Sequence, residues 1–236
     1  MRIALVAGEV SGDLLGGALV RALREKFPQA SFYGVAGPQM RAAGCEAIES
    51  IEALSVMGLS EVLRPLPRLL QLRHVLARRF SADRPDVFIG IDAPAFHLGL
   101  ETRLRHQGIR TVHVVSPSVW AWRRGRIEGI ARAVNLMLCL FPFEEKIYRE
   151  RGIPVAAIGH PLADQIDDAV TPAAGKVALG LPPGPCVAIL PGSRHGEVSR
   201  LAPDFAAAAA KINAAHPGTR FVVPIARPDL RPLVQA

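Results

Sequence analysis

Short apolar runs alternate with longer segments of helical spacing along this chain, and no other feature constrains its fold as strongly. The strand-like runs are residues 3–7, 31–35, 86–91, 111–115, 136–140 and 155–158. The helix-like segments between them include residues 14–26, 66–79, 98–106 and 144–151. Strands that are apolar throughout and are joined by helices form parallel sheets covered on both faces. The sequence therefore predicts an α/β fold built on a Rossmann-like parallel sheet.

The composition changes near residue 164, and Asp, Ala, Pro and Gly then dominate up to residue 185. Such a stretch is typical of a helix end followed by an interdomain linker. The alternation restarts with a strand at 186–190, a helix at 197–215, a strand at 221–224 and a helix that begins near residue 229. Because two strands do not complete a sheet, this second unit is expected to be the start of a larger domain. We predict an N-terminal domain over 1–166, a linker over 167–185 and an incomplete second Rossmann-like domain over 186–236.

Charge and cysteine content limit the classes of partner and the cellular compartment that we expect for this chain. The chain of 236 residues carries a formal charge of +7, which favours anionic ligands such as phosphates or anionic lipid. It has no recognisable helix-turn-helix, zinc-finger or RNA-binding motif, so no nucleic acid partner is expected. Cys45, Cys139 and Cys186 are odd in number and far apart, which argues against a disulfide framework or a metal site and favours a reducing cytosol. No segment resembles a signal peptide or has the roughly 20 apolar residues of a membrane-spanning helix.

The loop after the first strand, residues 8–13, is the first candidate site. Its small residues allow a ligand to approach the backbone, and the helix that follows offers amide donors. The carboxylates of Glu9 and Asp13 would repel a pyrophosphate but could accept hydrogen bonds from sugar hydroxyls. A tight turn with Ser11 or Asp13 as a helix cap is the structural alternative. The candidate ligand contacts in this loop are Gly8, Glu9, Ser11, Gly12 and Asp13.

A second candidate is Asp92, which an apolar strand delivers to its own carboxyl end. Ligands of open α/β sheets bind at that edge, so Asp92 could act as a general base. A capping or turn role, favoured by Pro94, is the alternative. His97 could support Asp92, although a lone histidine after a turn is more often structural.

The turn 191–194 joins a buried strand to a helix in the second unit. Gly192 and Ser193 leave amides available to a phosphate oxygen, and the forked guanidinium of Arg194 matches phosphate geometry. We therefore interpret the turn as a binding site for a nucleotide diphosphate, in preference to an ordinary strand-to-helix connection.

Two further stretches combine apolar and basic residues. Residues 116–124 hold both tryptophans of the chain beside Arg123 and Arg124, with Arg126 as a third basic residue close by. These residues could line a cleft, face lipid or pack as loop core. Residues 54–79 have an amphipathic, arginine-rich pattern. Such a pattern can lie on an anionic membrane, but it more often belongs to a helix that covers a sheet.

Taken together, these motifs closely resemble the lipid-A-disaccharide synthase family, which makes the disaccharide core of bacterial lipid A. The matching segments are residues 6–9, 11–13, 34–38, 56–58, 85–94, 115–123, 158–160 and 190–194. The resemblance implies a GT-B fold, in which two Rossmann-like domains face each other. Members of the family continue beyond residue 236, so the chain is expected to hold a truncated donor domain.

The resemblance implies an inverting glycosyltransferase with no metal or other cofactor. It would transfer 2,3-diacylglucosamine from UDP-2,3-diacylglucosamine to 2,3-diacylglucosamine 1-phosphate, which gives the β-1,6-linked disaccharide 1-phosphate and UDP. Asp92 would take the proton from the acceptor 6-hydroxyl, and Arg194 would contact the donor diphosphate. The other implied substrate contacts are the loop 8–13 with Ser116, Trp120, His160, Gly192 and Ser193.

The resemblance also implies a cytoplasmic protein that is peripheral on the cytoplasmic face of the Gram-negative inner membrane. Its membrane-facing residues would be Val62, Leu63, Leu66, Leu69 and Leu70. After Asp92 the sequence departs from the family, because some relatives carry Asp and Asn in place of Ala95 and His97. Two alternatives stay open, namely another GT-B UDP-sugar transferase acting on a peptidoglycan lipid intermediate, and an inactive fragment that binds lipid or membrane. The sequence does not fix the oligomeric state, and a homo-oligomer is compatible with it.

Overall fold

The computed structural model describes residues 1–54, 66–121 and 125–235. These residues fall into two compact units, with the boundary between Ile166 and Asp167. Several predicted site residues lie outside the described part of the chain. They are Val62, Leu63 and the run 122–124, together with the side chain of Leu66.

The first unit is built on a seven-stranded parallel sheet. Its strands are β1 (Arg2–Ala7), β2 (Ser31–Ala36), β3 (Cys45–Ser50), β4 (Val87–Ile91), β5 (Arg110–Val114), β6 (Leu136–Cys139) and β7 (Val155–Ala157). They lie in the order β3-β2-β1-β4-β5-β6-β7, and every pairing is parallel. The predicted parallel sheet is confirmed. The strand order reverses between β1 and β4, where ligands of such sheets bind.

Helices cover both faces of this sheet, as its apolar strands require. The helices are α1 (Val10–Lys26), α2 (Pro38–Ala42), α3 (Leu66–Asp83), α4 (Pro94–His106), α5 (Arg126–Ala133), α6 (Glu145–Arg149) and α7 (Pro161–Gln165). Every residue of β1 after Arg2 is buried. A Cβ on Gly16 would lie 2.6 Å from the Met40 sulfur, so the missing side chain lets α1 pack closely on α2.

The second unit contains a parallel pair of short strands, β8 (Cys186–Ala188) and β9 (Arg220–Val222). Its helices are α8 (Pro172–Ala178), α9 (His195–Ala215) and α10 (Arg231–Gln235). The strand, helix and strand predicted after residue 185 are therefore present. The stretch predicted as a linker over 167–185 contains α8, because Thr171 Oγ1 accepts a hydrogen bond from the Ala174 amide and Pro172 occupies the first turn.

Candidate active site

The carboxyl ends of β1 and β4 bring two predicted site segments together at one edge of the sheet. Ala7 pairs with Ile91 in the register, so Gly8 and Asp92 leave the sheet side by side. A Cβ on Gly8 would lie only 2.8 Å from the Cβ of Ala93. The absence of a side chain at Gly8 therefore allows the two turns to pack against each other.

Asp13 caps a neighbouring helix. Because α1 begins at Val10, Asp13 lies in the first turn of that helix and is only 1% exposed. Its carboxylate accepts hydrogen bonds from three amides at the start of α2, which are those of Gly37 at 2.9 Å, Gln39 at 2.8 Å and Met40 at 3.0 Å. A buried carboxylate whose acceptor sites are directed at amides has little left to offer a ligand. These contacts give Asp13 a structural role, and its predicted contact with a sugar hydroxyl stays a prediction.

The other residues of the loop 8–13 divide between packing and exposure. Gly12 is buried, and a Cβ there would lie 3.4 Å from the Ile91 carbonyl oxygen, so Gly12 serves the packing of α1 on β4. Ser11 is exposed, and the half-buried Glu9 is the N-cap residue of α1. Glu9 and Ser11 are therefore the polar side chains of this loop that remain accessible, together with the exposed Val10.

A cavity of about 290 Å³ lies beside Asp92. Its lining residues are Asp92, Pro94, Pro117, Ser118, Val119 and Arg126. Among residues 1–54, 66–121 and 125–235, neither the Asp92 carboxylate nor the Arg126 guanidinium has a hydrogen-bond or ion-pair partner. A carboxylate and a guanidinium that line one cavity without pairing can bind a ligand that carries both a hydroxyl and an anionic group. Asp92 was predicted as a site residue, whereas Arg126 was noted only as a basic neighbour of the tryptophans.

Ser116 faces the interior of the protein. Its hydroxyl donates to the Pro117 carbonyl at 3.0 Å and lies 2.6 Å from the hydroxyl of Tyr148. Burial raises the pKa of Tyr148 to about 12, so this hydroxyl stays protonated and donates to Ser116 Oγ. Ser116 thus stabilises the turn after β5, and its predicted contact with substrate stays a prediction.

Trp120 lies at the surface in a cluster of aromatic residues. Its ring meets Phe143 edge-on at a centroid distance of 5.5 Å, and Phe143 stacks on Phe141 at 5.7 Å. All three side chains are about half exposed. A groove of about 330 Å³ adjoins them, and Ile127, Ile147 and Lys146 are among its lining residues. Phe141 and Phe143 follow β6 as Trp120 follows β5, and they were not predicted as site residues.

His160 begins α7, and its Nδ1 accepts a hydrogen bond from the Leu162 amide at 3.2 Å. This cap accounts for one ring nitrogen and leaves Nε2 for another contact. Within the described ranges, no group of three or more His, Cys, Asp or Glu residues is placed to hold a metal ion.

The turn predicted to bind phosphate lies in the second unit and holds a carboxylate of its own. Gly192 has a φ of +118°, and Gly192, Ser193 and Arg194 are all exposed. Glu197 Oε2 accepts a hydrogen bond from the Ser193 amide at 3.3 Å, and Glu197 Oε1 lies 3.5 Å from the Arg194 guanidinium. The donors of this turn therefore already contact an anionic group, the carboxylate of Glu197. A phosphate bound there would compete with Glu197, which the sequence analysis did not single out.

Helix α3 carries the described part of the predicted membrane-facing surface. Leu69 is buried in the core with 9% exposure, whereas Leu70 is 45% exposed. Leu69 is thus a packing residue, because its side of α3 covers the sheet. Of the helices that the structure describes, none is both long enough and apolar enough to span a bilayer.

Known proteins resemble this chain over its whole length. A family model described as lipid-A-disaccharide synthetase matches residues 3–236. The lipid-A-disaccharide synthase of Pseudomonas fluorescens (strain Pf0-1) is 53% identical over 231 residues, which are 98% of this chain and 61% of that protein. The lipid-A-disaccharide synthase of Alkalilimnicola ehrlichii is 52% identical over 234 residues, again 98% of this chain and 61% of that protein. The chain therefore spans about 61% of the length of these relatives.

Solved structures match the fold. UDP-GlcNAc 2-epimerase from Neisseria meningitidis, solved with bound UDP-GlcNAc, matches with a TM-score of 0.62 at 13% sequence identity. The match covers 100% of this chain and 69% of that one. The predicted α/β, GT-B-like fold class is confirmed, and the chain covers part of such a fold.

Proposed function

Because this chain belongs to the lipid-A-disaccharide synthase family, we propose that the native protein transfers 2,3-diacylglucosamine from UDP-2,3-diacylglucosamine to 2,3-diacylglucosamine 1-phosphate. The products are the β-1,6-linked disaccharide 1-phosphate and UDP. The observation that carries the proposal is the cavity that holds the Asp92 carboxylate and the Arg126 guanidinium, neither of which has a partner among the described residues. These two groups suit an acceptor that carries a hydroxyl at one end and a phosphate at the other.

In the proposed reaction the acceptor 6-hydroxyl attacks the anomeric carbon of the donor, and its proton passes to Asp92. The bond between that carbon and the diphosphate oxygen breaks as the new bond forms, and UDP leaves with the electron pair. Arg194 and the amides of Gly192 and Ser193 would stabilise the negative charge on the departing diphosphate. Protein groups alone would then supply both kinds of help that an inverting displacement needs.

The remaining substrate contacts follow from exposure and charge. Glu9 would accept hydrogen bonds from sugar hydroxyls beside Asp92, and Ser11 would donate to them or accept from them. Arg126 would bind the acceptor 1-phosphate. Trp120 would contact an acyl chain, since it is half exposed beside a groove whose lining includes Ile127 and Phe143. His160 would use its remaining ring nitrogen for the substrate.

The assay that tests this function supplies the native-length protein with UDP-2,3-diacylglucosamine and two acceptors in turn, and then with a peptidoglycan lipid acceptor and the donor that matches it. With 2,3-diacylglucosamine 1-phosphate we expect stoichiometric UDP and β-1,6 disaccharide 1-phosphate. Without the 1-phosphate, transfer should be slower by about 10-fold or more, because Arg126 then loses a charge-assisted hydrogen bond. A peptidoglycan lipid acceptor with UDP-GlcNAc should give no product. If the peptidoglycan lipid were the only acceptor used, the alternative GT-B transferase would be supported. Binding to vesicles without binding of UDP would support the inactive lipid-binding fragment.

We also propose that the enzyme is peripheral on the cytoplasmic face of the inner membrane, and that α3 contributes to this attachment. The exposed side chains of Leu70 and Val75 lie on the same helix as the exposed Arg68 and Arg78, a combination that suits an anionic bilayer. Self-association remains a prediction. Sedimentation of the native-length protein would measure its oligomeric state.

The Leu70→Glu variant should bind less well than the unmodified protein to vesicles that contain an anionic phospholipid. The substitution removes an exposed apolar side chain and adds a charge that the membrane repels, so the bound fraction in a flotation assay should fall several-fold. The matched control is Gln71→Glu, which adds the same charge at an exposed neighbouring position. Equal losses in the two variants would show that charge alone matters and that Leu70 does not contact the membrane.

A further inference from the structure

The turn after β4 has an unusual backbone conformation. Asp92 has a φ of +57°, and Ala93 has a φ of +40° with a ψ of +54°, so both residues lie in the left-handed region. Residues with a Cβ rarely adopt this conformation, and they seldom do so in succession. Ala93 has no polar side-chain atom that could stabilise the turn locally. Contacts from the surroundings must therefore maintain it.

Within the described part of the chain, four hydrogen bonds hold this turn. The Asp92 amide donates to the Val114 carbonyl at 2.8 Å, and the Ala93 carbonyl accepts from the amides of Phe96 at 2.9 Å and His97 at 3.1 Å. These three bonds join backbone atoms and do not depend on the side chains. The fourth joins Nδ1 of the His97 ring to the Asp92 carbonyl at 2.6 Å. His97 is thus the side chain that binds the backbone of the catalytic turn.

The His97 imidazole is suited to this single contact. The side chain is 0% exposed, and its burial, with a smaller effect of His113, lowers the pKa of His97 to about 3. The ring is therefore neutral near pH 7 and has one N–H. Because the Asp92 carbonyl only accepts, we assign that proton to Nδ1. Nε2 has no hydrogen-bond partner among the described residues, so the turn receives the only hydrogen bond that the ring makes within them.

A second buried pair, His113 with Glu101, packs against the His97 ring. The His113 ring lies 6.0 Å from it at 63°, and His113 Nδ1 is 2.7 Å from Glu101 Oε1, with both side chains of that pair 0% exposed. Gly90 makes room for the arrangement, because a Cβ there would collide with Glu101 and would lie 3.1 Å from the Cβ of His97. The ring therefore cannot turn away from Asp92 without disturbing packed neighbours.

We propose that His97 is a positioning residue, which keeps the backbone at Asp92 and Ala93 left-handed and so directs the Asp92 carboxylate into its cavity. The proposal rests on the proposed function, in which Asp92 accepts the proton of the acceptor hydroxyl. His97 touches no reacting atom. Its effect should therefore appear in kcat and not in the KM for the UDP-sugar.

The first test replaces His97 in the native-length protein and measures transfer with the proposed donor and acceptor. His97→Leu fills a similar volume but cannot donate, and we expect kcat to fall by about 10²-fold with an unchanged donor KM. His97→Asn places a donor N–H close to the position of Nδ1 and should restore most of kcat. If His97→Leu does not fold, His97→Gln takes its place, since its amide lies one bond too far along the side chain and should show the same loss.

The second test asks whether the loss arises from the backbone conformation. Glycine adopts left-handed φ values readily, so Ala93→Gly should make the turn less dependent on His97. In the Ala93→Gly background, His97→Leu should lower kcat by less than about 10-fold, against about 10²-fold in the unmodified background. A histidine that only filled the core would cost the same in both backgrounds.

The outcomes separate this proposal from the proposed function. Wild-type kcat in both His97→Leu and His97→Gln, alongside an inactive Asp92→Asn variant, would overturn the positioning role and leave the function intact. Equal losses in His97→Leu and His97→Asn that Ala93→Gly does not reduce would assign His97 to the core and also overturn the proposal. Undiminished turnover in Asp92→Asn would remove the proposed base, and the positioning role with it.

Discussion

The Asp92→Asn variant of the native-length protein is expected to lose about 10³-fold in kcat with little change in stability. Asparagine has the same shape as aspartate but cannot accept the proton of the attacking hydroxyl. Among the described residues the Asp92 carboxylate accepts no hydrogen bond, so its replacement leaves no protein group without a partner. Steady-state transfer assays and thermal unfolding of the two proteins measure the two quantities.

A matched control lies at the opposite end of the same strand. Asp86 precedes β4, and its carboxylate accepts a hydrogen bond from the Arg2 amide at 2.7 Å, so Asp86→Asn changes the same chemical group far from the cavity. Its kcat should stay within about twofold of the wild-type value. Glu9 is a second carboxylate, at the neighbouring strand end, so the Glu9→Gln variant tests whether it acts as the base in place of Asp92. Full activity in Asp92→Asn together with inactivity in Glu9→Gln would transfer the base role to Glu9.

Buried strands could be predicted from the sequence far better than the edge of the sheet. The central strands β1 and β4 are apolar throughout because helices cover both of their faces, and their runs were evident. Strand β3 lies at the edge and has the polar sequence CEAIES with mostly exposed side chains. Its pattern is not that of a buried strand, and only pairing with β2 defines it. The sequence analysis therefore missed β3.

The candidate site was predictable to the extent that it depends on strand ends. Asp92 and Gly8 were found because a strand delivers each of them to the carboxyl edge of the sheet. The roles of Asp13 and Ser116 could not be inferred, since each depends on a partner distant in sequence, the amides of α2 in one case and Tyr148 in the other. Arg126 shares a cavity with Asp92 only because β5 lies beside β4 in the sheet.

Replacing Asp13 by alanine should be among the most destabilising single changes in the first unit. The amides of Gly37, Gln39 and Met40 would lose their common acceptor in a site that water hardly reaches. Each buried donor without a partner costs about 1–3 kcal/mol, so the free energy of unfolding should fall by about 4 kcal/mol. Urea unfolding followed by tryptophan fluorescence measures this loss in the first unit, because Trp120 and Trp122 both belong to its sequence.

The geometry also predicts an order among variants of Asp13. Oδ1 accepts from Gly37 and Met40 while Oδ2 accepts from Gln39, so asparagine can keep the oxygen that serves two amides and must turn its NH₂ group toward the third. Asp13→Asn should therefore cost about 2 kcal/mol, roughly half the effect of alanine. Glu25→Ala removes an exposed carboxylate from the same helix and should stay within about 0.5 kcal/mol of the wild type. A small loss in Asp13→Ala, comparable to that of Glu25→Ala, would show that the three amides find other partners, and would restore Asp13 as a candidate ligand for sugar hydroxyls.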